Sequence, residues 1–211
     1  MDKLMLKRWL KASAVFILLA GAPGLHAQAI DAQSLLKQRL LQLQSFKANF
    51  SQEVVDSQHT RLQQATGTIA LQYPNKLYWH LNEPNENLLI ADGQTLWQLD
   101  PFIEQAVAIN QSQAIQNNPL ILLTDPNGKH WDDFVITEKD NKFVITAKDL
   151  HGQVAQLVLQ FSEAKLVAMQ IIDGQLQTSS LTFSDIQQNT PLAASLFVFT
   201  LPEGYELDDQ R

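Results

Sequence analysis

Two hydrophobic periods divide the chain. From Asp31 to Phe46, apolar residues return at three- and four-residue steps (Leu36, Leu40, Leu43, Phe46, then Phe50), while Gln38, Arg39, Gln42 and Gln44 fall elsewhere. That spacing predicts one amphipathic helix over Asp31–Phe46, with Asp31 as its N-cap and Ser34 as the alternative. From Lys47 onward the period becomes two. Phe50 shares a parity with Val54, Ile69 with Leu71, and Leu77 with Trp79 and Leu81. Further runs follow at 88–91, 95–99, 106–109, 134–138, 143–148, 154–161, 166–172, 176–183 and 197–201. Turn-forming groups separate them, among them Tyr73-Pro74-Asn75-Lys76, Glu83-Pro84-Asn85, Asp92-Gly93, His151-Gly152 and Asp173-Gly174. Ten or eleven short strands at hairpin spacing predict one antiparallel sheet, strongly curved or closed, in a mainly β fold.

Two segments interrupt the strands. Pro119–Thr124 (PLILLT) is apolar all round, and is expected to form a short helix with Pro119 near its start, where a missing N–H costs nothing. Residues 191–196 are expected to add one helical turn. The parity of the early strands turns Leu77, Trp79, Leu81, Trp97 and Leu99 inward, with Phe102 just beyond. A curved sheet lined this way needs a cover, and the segments around Leu36, Leu40 and Leu43 and around Leu120, Ile121, Leu122 and Leu123 are the candidates. They either complete a static core or form a movable lid over an apolar cavity; pattern alone leaves both open.

The N-terminus reads differently. Lys3, Lys7, Arg8 and Lys11 precede the apolar run Ala12–Ala20, Pro23-Gly24 follows, and Ala27 closes a small-residue cleavage site. The run is shorter than the ~20 residues that span a bilayer. We therefore expect residues 1–27 to be a cleaved secretory signal and residues 28–211 to form a single domain that is not membrane-inserted. Removing four basic residues and Asp2 takes the net charge from −7 to −10. That charge argues against nucleic acid as a partner and against docking on anionic headgroups. An exported acidic chain without cysteine fits a bacterial periplasm, and the lack of cysteine excludes disulfides and thiolate chemistry.

Enzyme constellations are missing. No nucleophile elbow, phosphate loop, zincin or dinucleotide motif occurs, so no cofactor and no metal are expected. His59, His80, His130 and His151 are scattered singly, and the pairs Asp132-Asp133 and Asp208-Asp209 would point to opposite faces of a strand. The chain is not expected to be an enzyme.

The segments Asp92-Gly93-Gln94-Thr95-Leu96-Trp97 and Asp100-Pro101-Phe102-Ile103-Glu104-Gln105-Ala106 resemble the signature of the periplasmic outer-membrane lipoprotein carrier family (LolA). Ser45-Phe46 with Phe50-Ser51-Gln52, Tyr73-Pro74-Asn75 with Trp79-His80, Asn118-Pro119-Leu120, and Leu201-Pro202-Glu203-Gly204 with Asp208-Asp209-Gln210 are similar to the family in the same order. The resemblance spans essentially all of the chain after residue 27. It implies an incomplete, unclosed antiparallel barrel of about 11 strands with an α-helical lid over an apolar cavity. It also implies a monomeric carrier. Such a carrier accepts lipoproteins with N-terminal acyl chains from an inner-membrane ABC transporter complex and hands them to an outer-membrane receptor. On that reading Leu77, Trp79, Leu81, Leu89, Trp97, Leu99 and Phe102 line the acyl-chain cavity, and Leu36, Leu40, Leu43 and Leu120–Leu123 form the lid. Many family members carry Arg immediately before the Pro-Asn turn, where it latches the lid; here that position is Tyr73, so the closed lid is expected to rest mainly on apolar contact. The alternative is a periplasmic lipid-binding or envelope-sensing module on the same lidded fold.

Overall fold

A computed structural model describes residues 31–114, 119–149 and 154–211. The expected signal segment lies outside the described residues. The first element is α1 (Ala32–Gln42). Asp31 caps it as expected, its carboxylate accepting from the Ser34 N–H at 3.0 Å and the Ser34 hydroxyl at 2.7 Å. The helix stops earlier than its apolar period suggested. Asn189 accepts the Gln44 N–H at 2.8 Å and donates to the Gln42 carbonyl at 3.1 Å, satisfying backbone groups that continued helix would have used. Phe46 therefore belongs to the first strand, not to the helix.

Among the described residues twelve strands follow: β1 (Ser45–Val55), β2 (Arg61–Gln72), β3 (Lys76–Leu81), β4 (Asn87–Ala91), β5 (Thr95–Asp100), β6 (Gln105–Asn110), β7 (Phe134–Lys139), β8 (Lys142–Ala147), β9 (Val154–Ser162), β10 (Lys165–Asp173), β11 (Thr178–Gln188) and β12 (Glu206–Asp209). They form one sheet in the order β12-β6-β5-β4-β3-β2-β1-β11-β10-β9-β8-β7. β12 and β7 are its edges and do not pair with one another, so the barrel is incomplete. Neighbours are antiparallel except β12, which lies parallel to β6. This departs from the all-antiparallel expectation, because the last strand returns across the sheet instead of closing a hairpin. Residues 197–201, read as a strand, instead continue from the 3-10 helix Ala194–Phe197 as irregular backbone.

The core lies on the concave face. The cross-strand row Phe46, Leu71, Leu77, Ala91, Leu96 and Ile109 runs through five successive antiparallel pairings. All but Ile109 are buried, and Ile109 is half-buried. Behind this row the Phe50 ring packs on Trp79 at 4.6 Å. Gly67 makes that contact possible: a Cβ there would collide with the Phe50 ring and the His80 carbonyl.

Candidate functional site

Two covers close the concave face. α1 turns Leu36 and Leu40 inward, each no more than 1% exposed, with Leu43 at its C-terminal end also buried. The second cover is the 3-10 helix Pro119–Thr124. It touches β2 and β3 on one wall of the sheet and β9 on the opposite wall, so it spans the interior. Leu120, Leu122 and Leu123 are buried in that position; the side chain of Ile121 is outside the described residues. The chain thus fills its own concave face with leucines from two short helices that lie outside the sheet.

Polar groups fix the C-terminal end of the second cover. The Asn75 N–H, in the turn before β3, donates to the Thr124 carbonyl at 2.9 Å. Gln111, 4% exposed, opens the short helix α2 (Gln111–Ala114). Its side chain accepts from the Gly93 N–H at 3.0 Å and donates to the Asn75 carbonyl at 2.9 Å, joining two hairpin turns behind the helix. Trp131 is buried below, its indole N–H donating to the Asp125 carbonyl at 2.9 Å.

Tyr73 reaches the loop that follows this second cover, while its backbone N–H donates to the Gln44 carbonyl just after α1 at 3.0 Å. Its hydroxyl accepts one neutral hydrogen bond, from Asn127 at 3.2 Å, just past the 3-10 helix. The nearby cation, Lys76, points to the other side of the sheet, over the Phe197 ring at 5.7 Å.

Of the candidate cavity residues, Leu77 and Trp79 are buried on the concave face, and Leu81 and Leu89 pack half-buried beside them. Trp97 and Leu99 lie on the opposite, convex face. Leu96 is the β5 residue that shares the concave row, and Trp97 instead stacks on Phe199 at 4.7 Å and 15°. β5 alternates Leu96 and Gln98 against Trp97 and Leu99, and the larger pair suggested the wrong side. Both faces of this part of the sheet are covered, the convex one by the C-terminal segment, which erases the usual polar-out pattern. Phe102 sits in the β5–β6 turn, 69% exposed, and lines no concave surface.

Asp92 organises the Trp97 face. One carboxylate oxygen accepts the Gln94 and Thr95 N–H groups at 2.8 and 2.9 Å, and the other accepts the Trp97 indole N–H at 3.0 Å. Burial raises its pKa, but these bonds and the Arg211 charge outweigh it and leave the group below its ordinary value. Arg211 lies over the same indole at 5.1 Å and pairs with Asp209, whose pKa its hydrogen bonds hold down to about 2.

Sequence reasoning missed Arg39, counted with the solvent face of α1. Its guanidinium donates to Asn141 Oδ1 at 2.6 Å and to the Glu163 carbonyl at 3.1 Å. Nothing local announces those partners, which lie in two distant turns. Among the described residues, no group of three His, Cys, Asp or Glu is placed to hold a metal ion, and no helix is long and apolar enough to cross a membrane. His80 pairs with Glu86 and His130 with Asp133, each at 3.2 Å and partly exposed.

A family model described as "Outer membrane lipoprotein carrier protein LolA" matches residues 41–200. The chain is 38% identical to the outer-membrane lipoprotein carrier protein of Shewanella loihica over 184 residues, covering 86% of this chain and 87% of that one. It is 38% identical to that of Yersinia enterocolitica over 195 residues, covering 92% and 95%. A solved LolA superfamily protein of Nitrosomonas europaea aligns with a TM-score of 0.49 at 15% identity, covering 81% of this chain and 99% of that one.

Proposed function

Because the chain belongs to the outer membrane lipoprotein carrier family LolA, we propose that it ferries acylated lipoproteins through the periplasm with their acyl chains sheltered on the concave face. On this reading residues 1–27 direct export and residues 28–211 are the carrier. The observation that carries it is the filling of the open barrel by Leu36, Leu40, Leu120, Leu122 and Leu123, from segments separate from the sheet. Acyl chains replace those leucines on a surface already built for apolar contact.

Energetics favour transfer over storage. Burying a CH₂ group is worth about 0.8 kcal/mol, so one sixteen-carbon chain approaches ~12 kcal/mol. Three chains fully buried would exceed the ~20 kcal/mol ceiling of reversible binding. A membrane offers the same burial, so extraction gains nothing by itself. Displacing the lid exposes leucines to water and offsets part of the gain, which keeps release possible. The chain has no nucleotide motif, so the driving energy comes from an inner-membrane ABC transporter that loads it, and an outer-membrane receptor unloads it. No catalytic step is involved.

Native mass spectrometry of the protein recovered from the periplasm tests this. The expected adduct has the mass of an intact lipoprotein. Adducts of free phospholipid or fatty acid alone would overturn the carrier reading in favour of a lipid-binding module.

A further inference from the structure

The apolar stripe of α1 has no direction; leucines can slide. Arg39, on its flank, does have direction. One amino group of the guanidinium donates to Asn141 Oδ1 in the β7–β8 turn and the other to the Glu163 carbonyl in the β9–β10 turn. Its central carbon lies 5.2 Å from the Phe143 ring and 5.1 Å from the Phe161 ring, which meet edge to face at 5.7 Å. Both rings are buried, Phe143 completely. The helix is therefore pinned to two separate hairpin tips by a planar cation laid across two aromatic rings. Guanidinium suits that place because its five donors form a rigid fork and its faces are weakly hydrated.

We infer that Arg39 is the positioning residue that holds the lid helix shut, a cationic latch carried by the lid itself and received by neutral acceptors on the barrel. The inference rests on the reading of α1 as a lid. A cleft of about 280 Å³ runs beside the guanidinium, lined by Gln42, Leu43, Phe161 and Gln188 among others. Water reaches the latch through it and hydrates the charge as the lid lifts, so opening strands no buried cation. The same lift uncovers Phe143 and Phe161, adding two aromatic rings to the exposed apolar surface at the moment cargo arrives.

Asn141 offers a clean test. Its φ of 60° lies in the left-handed region, where Gly and Asp are tolerated, so either substitution preserves the turn. Asn141→Gly removes the acceptor; Asn141→Asp makes it anionic and strengthens the bond. Spin labels at Gln38 on α1 and Thr182 on β11, both exposed, report the lid distance by pulsed electron resonance in unliganded protein. The open fraction should rise about tenfold or more in Asn141→Gly, the scale of losing one hydrogen bond to a charged group. It should fall below wild type in Asn141→Asp. Arg39→Lys should resemble Asn141→Gly, because an ammonium cannot fork to both turns. Shifts in the same direction for the two Asn141 variants, or distances unchanged from wild type, would overturn the latch. The measurement uses no cargo, so its failure leaves the carrier reading standing, and a failure to bind lipoprotein leaves the latch standing.

Discussion

The indole of Trp97 lies flat against the ring of Phe199, 4.7 Å between centroids, on the outside of the barrel. The residue at the end of the D-G-x-T-L-W motif thus fastens the C-terminal segment instead of lining the cavity. Asp92, at the start of the motif, holds the indole by its N–H. Offset-stacked aromatic pairs contribute about 0.5–1.5 kcal/mol beyond their burial. A double-mutant cycle on Trp97→Ala and Phe199→Ala, read by urea unfolding, should return a coupling of about 1 kcal/mol. Trp97→Asp should leave binding of an apolar dye to the concave face intact. Loss of dye binding in a folded Trp97→Asp protein would place the indole in the cavity after all.

Acid should loosen this clasp. Asp92 is held below its ordinary pKa in the folded state, and Asp209 is held at about 2. A carboxylate depressed on folding contributes stability that is complete above its unfolded pKa, near 3.9, and is lost as pH falls through the folded value. The window is therefore from about pH 4 down to about pH 2. The Trp97 indole N–H resonance should move through that window, and Asp92→Asn should abolish the movement. An indole resonance indifferent to pH across the range would contradict the assignment.

The strand pattern was legible because the concave side of β1–β3 alternates cleanly: Phe46, Ala48 and Phe50, then Leu77 and Trp79, face inward. β5 was not, because Trp97 is covered by Phe199 and Arg211, from the far end of the chain. The stop of α1 was equally hidden. Leu43 and Phe46 continue the helical period, and the group that ends the helix, Asn189, comes from the far end of the chain. Arg39 reads as a surface residue until the β7–β8 and β9–β10 turns are brought beside it. Single-chain periodicity reports which residues are apolar, not which side receives a second layer.

Leu122→Ala and Leu157→Ala should separate lid from wall, although both leucines are buried. Leu→Ala in a packed core costs about 2–5 kcal/mol. Leu157 is in β9 and should lose that amount in global unfolding. For Leu122 the loss is capped, because once the defect exceeds the free energy of lid opening, the lid opens instead. Urea denaturation should show the smaller loss for Leu122→Ala, with faster lipoprotein release. An equal stability loss with normal release would mean the 3-10 helix is static core.

Gly67→Ala should be among the most damaging single-methyl changes. The added carbon meets the Phe50 ring and the His80 backbone carbonyl, and only the ring can give way. Overpacking of this kind costs about 1–3 kcal/mol. Thermal melting should show the loss, and Trp79 fluorescence should change as Phe50 leaves it.

Carriage on the concave face requires the acyl chains to lie against the residues of β3 and β4 and beneath the 3-10 helix. A triacylated lipopeptide carrying a photoreactive group near the end of one acyl chain, crosslinked to the protein and mapped by peptide mass spectrometry, addresses it directly. Label is expected on Trp79, Leu81, Leu89 or Leu122, suppressed by unlabelled lipopeptide. Label on Trp97, Leu99 or Phe102, or label that unlabelled lipopeptide does not displace, would contradict that placement.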